Sequence, residues 1–200
     1  MGKPKKEDEV MKRHLWLIAG HMGTCTRLTF RIFKATGIPG QIECREHKMR
    51  CAEIFDNHTL VKYPLHLNEQ GHGLMKFDSG LFYLGGERAK KETDWSKVRN
   101  VAGRGFKTVT WIITYRRPCK RGGKKGGRSG WLLQNHYKKL FRAIKDQDEV
   151  ILWDSSLLVL DPECFLKEMS IATGLPLWEC LPEEIKNCDT KHLKGKGILP

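Results

Sequence analysis

No run of apolar residues in this 200-residue sequence is long enough to cross a bilayer. The stretch after the charged segment Met1 to Arg13 is only Leu15 to Ala19, where a helical span needs about 20 residues. The same shortness excludes a secretory leader, so the expectation is a cytoplasmic protein with no membrane partner. Paired cysteines are also missing. The seven cysteines, at 25, 44, 51, 119, 164, 180 and 188, are odd in number and scattered, which excludes a disulfide framework and fits reduced thiols. Cys44, His47, Cys51 and His58 make the one cluster that resembles a metal site, but it contains no CxxC pair and no regular zinc-finger spacing, so no metal is expected there. Acid is scarce beside base: 23 Asp and Glu against 36 Lys and Arg leave a net charge of +13, a field that favours polyanions such as nucleic acid or nucleotides.

What is present is enough for one core, since 40% of the residues are apolar. The composition divides the chain into a charged extension (1–13), a globular domain (14–178) and a basic tail (179–200). His14 to Ala19 is a nearly continuous apolar run ending at Gly20, the pattern of a buried parallel strand that turns sharply. From Thr26, apolar Leu28, Ile32, Phe33 and Ala35 predict a helix that Gly37-Ile38-Pro39-Gly40 stops. A second helix is expected over 43–56 and a short strand over Thr59 to Tyr63, closed by Pro64.

The stretch Leu65 to Arg104, rich in glycine, histidine and charge, reads as an irregular ligand-facing insertion with one short helix near Trp95. Lys107 to Tyr115 is the best strand of the chain, Trp131 to Ile144 has helical spacing, and Val150 to Trp153 is a further buried strand. Asp161-Pro162-Glu163 opens a helix that Gly174-Leu175-Pro176 closes. Strands alternating with helices imply an α/β fold of three layers with a mostly parallel sheet. Ligands in such folds sit at the carboxyl ends of strands, where Gly20, Lys62, Arg116 and Asp154 are expected.

The chemistry concentrates in Gly20-His21-Met22-Gly23-Thr24-Cys25-Thr26-Arg27. A glycine-rich turn running into a helix offers backbone N–H groups and the positive helix end to a phosphate, and Thr24 and Thr26 add hydroxyls. This makes Gly20, Gly23, Thr24, Cys25 and Thr26 candidate nucleotide-binding residues of a P-loop. The pattern Gly-x-x-x-x-Gly-Lys-Ser/Thr is absent, so the usual loop lysine has no counterpart.

The segments His21-Met22-Gly23-Thr24-Cys25-Thr26, Val61-Lys62-Tyr63-Pro64, Ile112 to Pro118 and Asp161-Pro162 with Thr173-Gly174-Leu175-Pro176 together resemble the sulfotransferase superfamily, in that family's order. The resemblance implies a sulfotransferase-like P-loop fold and a 3′-phosphoadenylyl sulfate-like donor. It further implies Arg116 and Ser129 on the donor's 3′-phosphate, and transfer of a sulfuryl group to a hydroxyl. His21 stands where the cytosolic branch has a lysine. In-line transfer depends mainly on positioning and cationic stabilisation, for which Lys62, Arg27 and Arg116 are the candidates. The acceptor's base is open among His21, His58, His66 and His72.

A rival reading takes Val150-Ile151-Leu152-Trp153-Asp154 as a strand whose terminal Asp154 helps hold magnesium for ATP, as in kinases. The cationic glycine loop Lys120 to Gly130 would then suit a hydroxyl displayed by nucleic acid, such as a hydroxymethylated DNA base. A third reading is a non-catalytic nucleic-acid-binding protein on the same fold. Trp131 and Tyr137 could stack on a base, although helical spacing more often places such aromatics in a core.

Overall fold

The computed structural model describes residues 13–21, 24–42, 66–79, 82–84, 87–89, 95–102, 105–115 and 137–179. Five strands, β1 (His14–His21), β2 (Gly40–Ile42), β3 (His72–Ser79), β6 (Thr108–Tyr115) and β7 (Glu149–Asp154), form one sheet in the order β2-β3-β1-β6-β7. Every pairing in it is parallel. Two short strands, β4 (Phe82–Leu84) and β5 (Glu87–Ala89), pair antiparallel as a separate ribbon. The helices are α1 (Thr26–Ala35), α2 (Trp95–Ala102), α3 (137–143), α4 (Ser155–Leu160) and α5 (Pro162–Thr173). The α/β architecture expected from the alternation of strands and helices is therefore present.

Strand alternation sorts the core into two layers. Leu15, Leu17, Ala19, Met75, Phe77, Trp111 and Ile113 pack with Trp95 and Val98 of α2 and Leu140 and Ala143 of α3. Trp16, Ile18, Leu74, Ile112 and Trp153 pack on the opposite face with Phe30, Ile32 and Phe33 of α1 and Leu158, Phe165 and Leu166 of α4 and α5. Both faces of β1 are thus buried, which is why it reads as a continuous apolar run. At the sheet's amino end, His14 stacks on Trp16 at 4.3 Å between ring centroids. Its Nε2 lies 2.8 Å from the Thr110 hydroxyl, which donates to Glu149.

The structure corrects one element and extends another. Leu65 to Arg104 is no irregular insertion: it holds β3, an interior strand beside β1 whose residues from Gly73 to Phe77 are buried. Gly40, expected only to stop α1, also opens β2; a Cβ there would meet the Phe30 ring at 2.5 Å, so the side-chain-free backbone is what lets β2 lie under α1. The strand and helix expected over 107–115 and 161–173 are found with near-expected bounds. For α5, Asp161 caps Cys164 N, proline follows it, and Gly174 at φ 67° ends the helix. The extension before 13, the helix expected over 43–56, the strand expected over Thr59 to Tyr63, the cluster Cys44, His47, Cys51 and His58, the loop Lys120 to Gly130, Trp131 and the tail after 179 lie outside the described residues. No helix among the described residues is long and apolar enough to cross a membrane.

Candidate active site

The chain leaves β1 toward α1 and β2 on one side of the sheet and leaves β6 toward β7 on the other. The carboxyl ends of β1 and β6 therefore border a topological switch point, where open parallel sheets leave a crevice for ligands. Gly20 of β1 and Thr114 of β6 are register partners at that point. An ideal Cβ on Gly20 would lie 2.0 Å from Thr114 Oγ1, 2.7 Å from Thr24 Oγ1 and 2.9 Å from the Thr114 carbonyl, so only glycine fits.

The space a side chain would fill holds a buried polar tie. Thr24 and Thr114 hydroxyls lie 2.8 Å apart. Because Thr114 Oγ1 also donates to the Ala19 carbonyl (3.3 Å), and a hydroxyl has one proton, Thr24 is the donor between them. Ser155 at the start of α4 donates to the Thr24 carbonyl at 2.6 Å, and Tyr137 of α3 donates to the Thr114 carbonyl at 2.8 Å. The loop after β1 is thereby fastened to the ends of both neighbouring strands on its β6 side, at a residue only 5% exposed. The Thr24 hydroxyl holds the loop in shape; it is not the ligand donor expected from its place in the sequence.

After Thr24 the chain turns through Cys25 at φ 58°, ψ 22°, a left-handed conformation that a non-glycine residue adopts at some cost, and enters α1. The Cys25 carbonyl accepts from Thr29 N at 3.0 Å and from the Thr29 hydroxyl at 3.2 Å. The Cys25 side chain makes no capping bond and the first turn of α1 contains no acidic residue. An α-helix leaves its first N–H groups without intrahelical acceptors and carries positive potential there, so this terminus offers an anion the partner the sequence does not supply.

The expected site residues separate into three groups. Gly20, Thr24, Cys25 and Thr26 come together at the switch point, with Thr26 buried at the start of α1. Arg27, next on that helix, is exposed. Asp154 ends β7 as expected, but it is 2% exposed and its carboxylate accepts from Ser156 N at 2.8 Å, capping α4. Ser155 then follows directly and is the residue that grips Thr24. His21 is the last residue of β1, its side chain being outside the described residues, as are Gly23, Lys62, Arg116 and Ser129 altogether. Of the candidate bases, His66 is exposed ahead of β3, and His72 begins β3 at the sheet's amino end, the far edge from Gly20, which removes it from the site.

Three residues were missed. Thr114 and Ser155 were invisible because only the register of β1, β6 and β7 brings them to Thr24. Asp78 was hidden in the supposed insertion, yet its Cα is the register partner of Gly20 on β3. A strand-end pattern, Met75-Lys76-Phe77-Asp78, was the available signal; a lysine within it disguised the strand.

No protein-family model matches the chain and no curated protein matches it. Among solved structures, the chain is similar to an unliganded sugar kinase from Janibacter sp. HTCC2649, with 14% identity over 87% of this chain and 98% of that one and a TM-score of 0.39. A likeness at that level carries neither architecture nor activity from that protein to this chain.

Proposed function

We propose that the protein is a nucleotide-dependent group transferase that holds the donor's phosphates on the loop from Gly20 to Thr26 and moves a phosphoryl group from ATP to a hydroxyl acceptor. The observation that carries the reading is the glycine at the end of β1, packed against two threonine hydroxyls where the sheet's connections diverge, with an acid-free helix start directly after it. Backbone N–H groups of the loop and of α1 would bind the phosphate oxygens, Thr114 and Ser155 fixing the loop's shape in advance. Preorganisation matters here because phosphoryl transfer asks the protein mainly for positioning and charge stabilisation.

Asp78 favours phosphoryl over sulfuryl transfer. It is a hard oxygen donor placed in register with Gly20, and magnesium is commonly held by one or two carboxylates with waters and substrate phosphates completing the shell. The described residues contain no group of three His, Cys, Asp or Glu that could form an all-protein metal site, which agrees with that sparse mode. When bound, magnesium supplies charge neutralisation across the transferring phosphates. Asp154 is assigned the positioning of Ser155 through its cap on α4.

The test is label transfer to a panel of hydroxyl acceptors, including hydroxymethylated DNA, from ATP with magnesium and, in parallel, from 3′-phosphoadenylyl sulfate. The reading expects transfer from ATP that chelator and Asp78→Asn both abolish. Transfer of labelled sulfate, indifferent to chelator, would overturn it in favour of the sulfuryl chemistry that Arg116 and Ser129 imply. Salt-sensitive DNA binding with no turnover of either donor would favour the non-catalytic reading.

A further inference from the structure

We infer that Lys76 supplies the donor phosphate with the cation that the loop lacks, an inference that rests on the nucleotide-transferase reading above. The loop from Gly20 to Thr26 contains no lysine or arginine. Three charged residues are buried among those described: Lys76, Arg99 and Asp154. Keeping an ion out of water costs several kcal/mol even after relaxation, so each needs a return. Arg99 returns it through a bidentate pair with Asp148, and Asp154 through its helix cap. The return from Lys76 lies in where β3 puts it.

Alternation along β3 assigns Met75 and Phe77 to the layer of α2 and α3, and Leu74 to the layer of α1. Lys76 shares the parity of Leu74 and so stands on the α1 face, 4% exposed, as the register partner of Ile18 on β1. Two residues further, the same pairing joins Asp78 to Gly20. That advance is about 6.6 Å of strand, and side chains in strands lean along the strand. A lysine stem reaches on the order of 6 Å, so its ammonium is carried to the level of Gly20 and the first turn of α1. The ammonium is a compact point charge with three donors, suited to terminal phosphate oxygens, and its burial leaves that charge less screened than an exposed arginine's. A cation fixed from the sheet would serve in place of one carried on the loop.

Isothermal titration of the full chain with MgATP and with adenosine tests this. Wild type is expected to bind MgATP. Lys76→Met, which fills the same volume without charge, is expected to bind MgATP at least tenfold more weakly, to keep wild-type affinity for adenosine, and to retain its far-UV spectrum. Lys76→Arg should recover part of the loss. Equal MgATP affinity in wild type and a folded Lys76→Met would overturn the role of Lys76 and leave the transferase reading standing; a wild type that binds no MgATP removes both. Should Lys76→Met not fold, wild type is treated with adenosine diphosphopyridoxal and borohydride, which traps a lysine beside the nucleotide phosphates. Mass spectrometry is expected to find the label on Lys76 and to find it suppressed by ATP. Label confined to other lysines, or none on a protein that binds MgATP, would contradict the assignment.

Discussion

At the scale of single residues, the account turns on atoms that exclude one another. Gly20 has no room for a methyl group because Thr114 Oγ1 occupies the position. Gly20→Ala is therefore expected to destabilise the fold by about 1–3 kcal/mol, as overpacking does, and to weaken nucleotide binding. In a double-mutant cycle with Thr114→Ala, which removes the nearest obstruction, the stability losses should be less than additive; strict additivity in urea unfolding would contradict the clash.

The histidines at the other end of the sheet predict a pH effect with a definite sign. Burial, with the nearby His72, lowers the His14 pKa from 6.5 to about 4, outweighing the opposite pull of Glu149; burial also lowers that of His72. The unfolded chain then binds more protons between these values. Stability from the neutral imidazoles is complete above about pH 6.5 and is lost as pH falls toward 4. Thermal melts from pH 7.5 to 4.5 should show this decline, and His14→Gln should flatten it. A mutant with an unchanged slope would assign the decline to other groups.

At the scale of elements, one ion pair joins three pieces of structure. Arg99 of α2 donates to Asp148 Oδ2 at 2.6 Å, Trp111 of β6 donates to the same oxygen at 2.9 Å, and the Lys145 backbone N–H adds a third bond at 3.2 Å from the turn before β7. Burial raises the Asp148 pKa, but these hydrogen bonds and the Arg99 charge outweigh it and hold the carboxyl below its usual value. Arg99→Met leaves a buried carboxylate short of its main partner and is expected to cost about 3 kcal/mol or more. A chemical-denaturation loss below about 1 kcal/mol would show that the pair does not join these elements energetically.

Elements were legible where local chemistry decides them. α5 announced itself through Asp161, Pro162 and Gly174, and β1 and β6 through apolar runs buried on both faces. β3 was not legible, because a buried lysine at 76 and glycine at 73 break the apolar run; its strand state comes from pairing with β1 on one side and β2 on the other, contacts far away in sequence. The same reason hid half of the candidate site. Gly20 and Thr24 could be read from the turn before a helix, whereas Thr114, Ser155 and Asp78 become neighbours only through parallel register.

At the scale of the whole molecule, the parallel sheet gathers the ends of β1, β3, β6 and β7 at one edge, and the net charge of +13 favours an anionic ligand reaching it. The central claim is that this edge binds a phosphorylated nucleotide. Its most direct measurement is the thermal midpoint of the full chain against increasing MgATP, ATP with chelator, 3′,5′-bisphosphoadenosine and adenosine. A ligand selective for the folded state adds about 2.7 kcal/mol at a hundred times its dissociation constant, enough to move the midpoint by several degrees. The account predicts a midpoint that climbs with MgATP, climbs less with chelator present, and barely responds to adenosine. A midpoint unmoved by every phosphorylated nucleotide at millimolar concentration would contradict it.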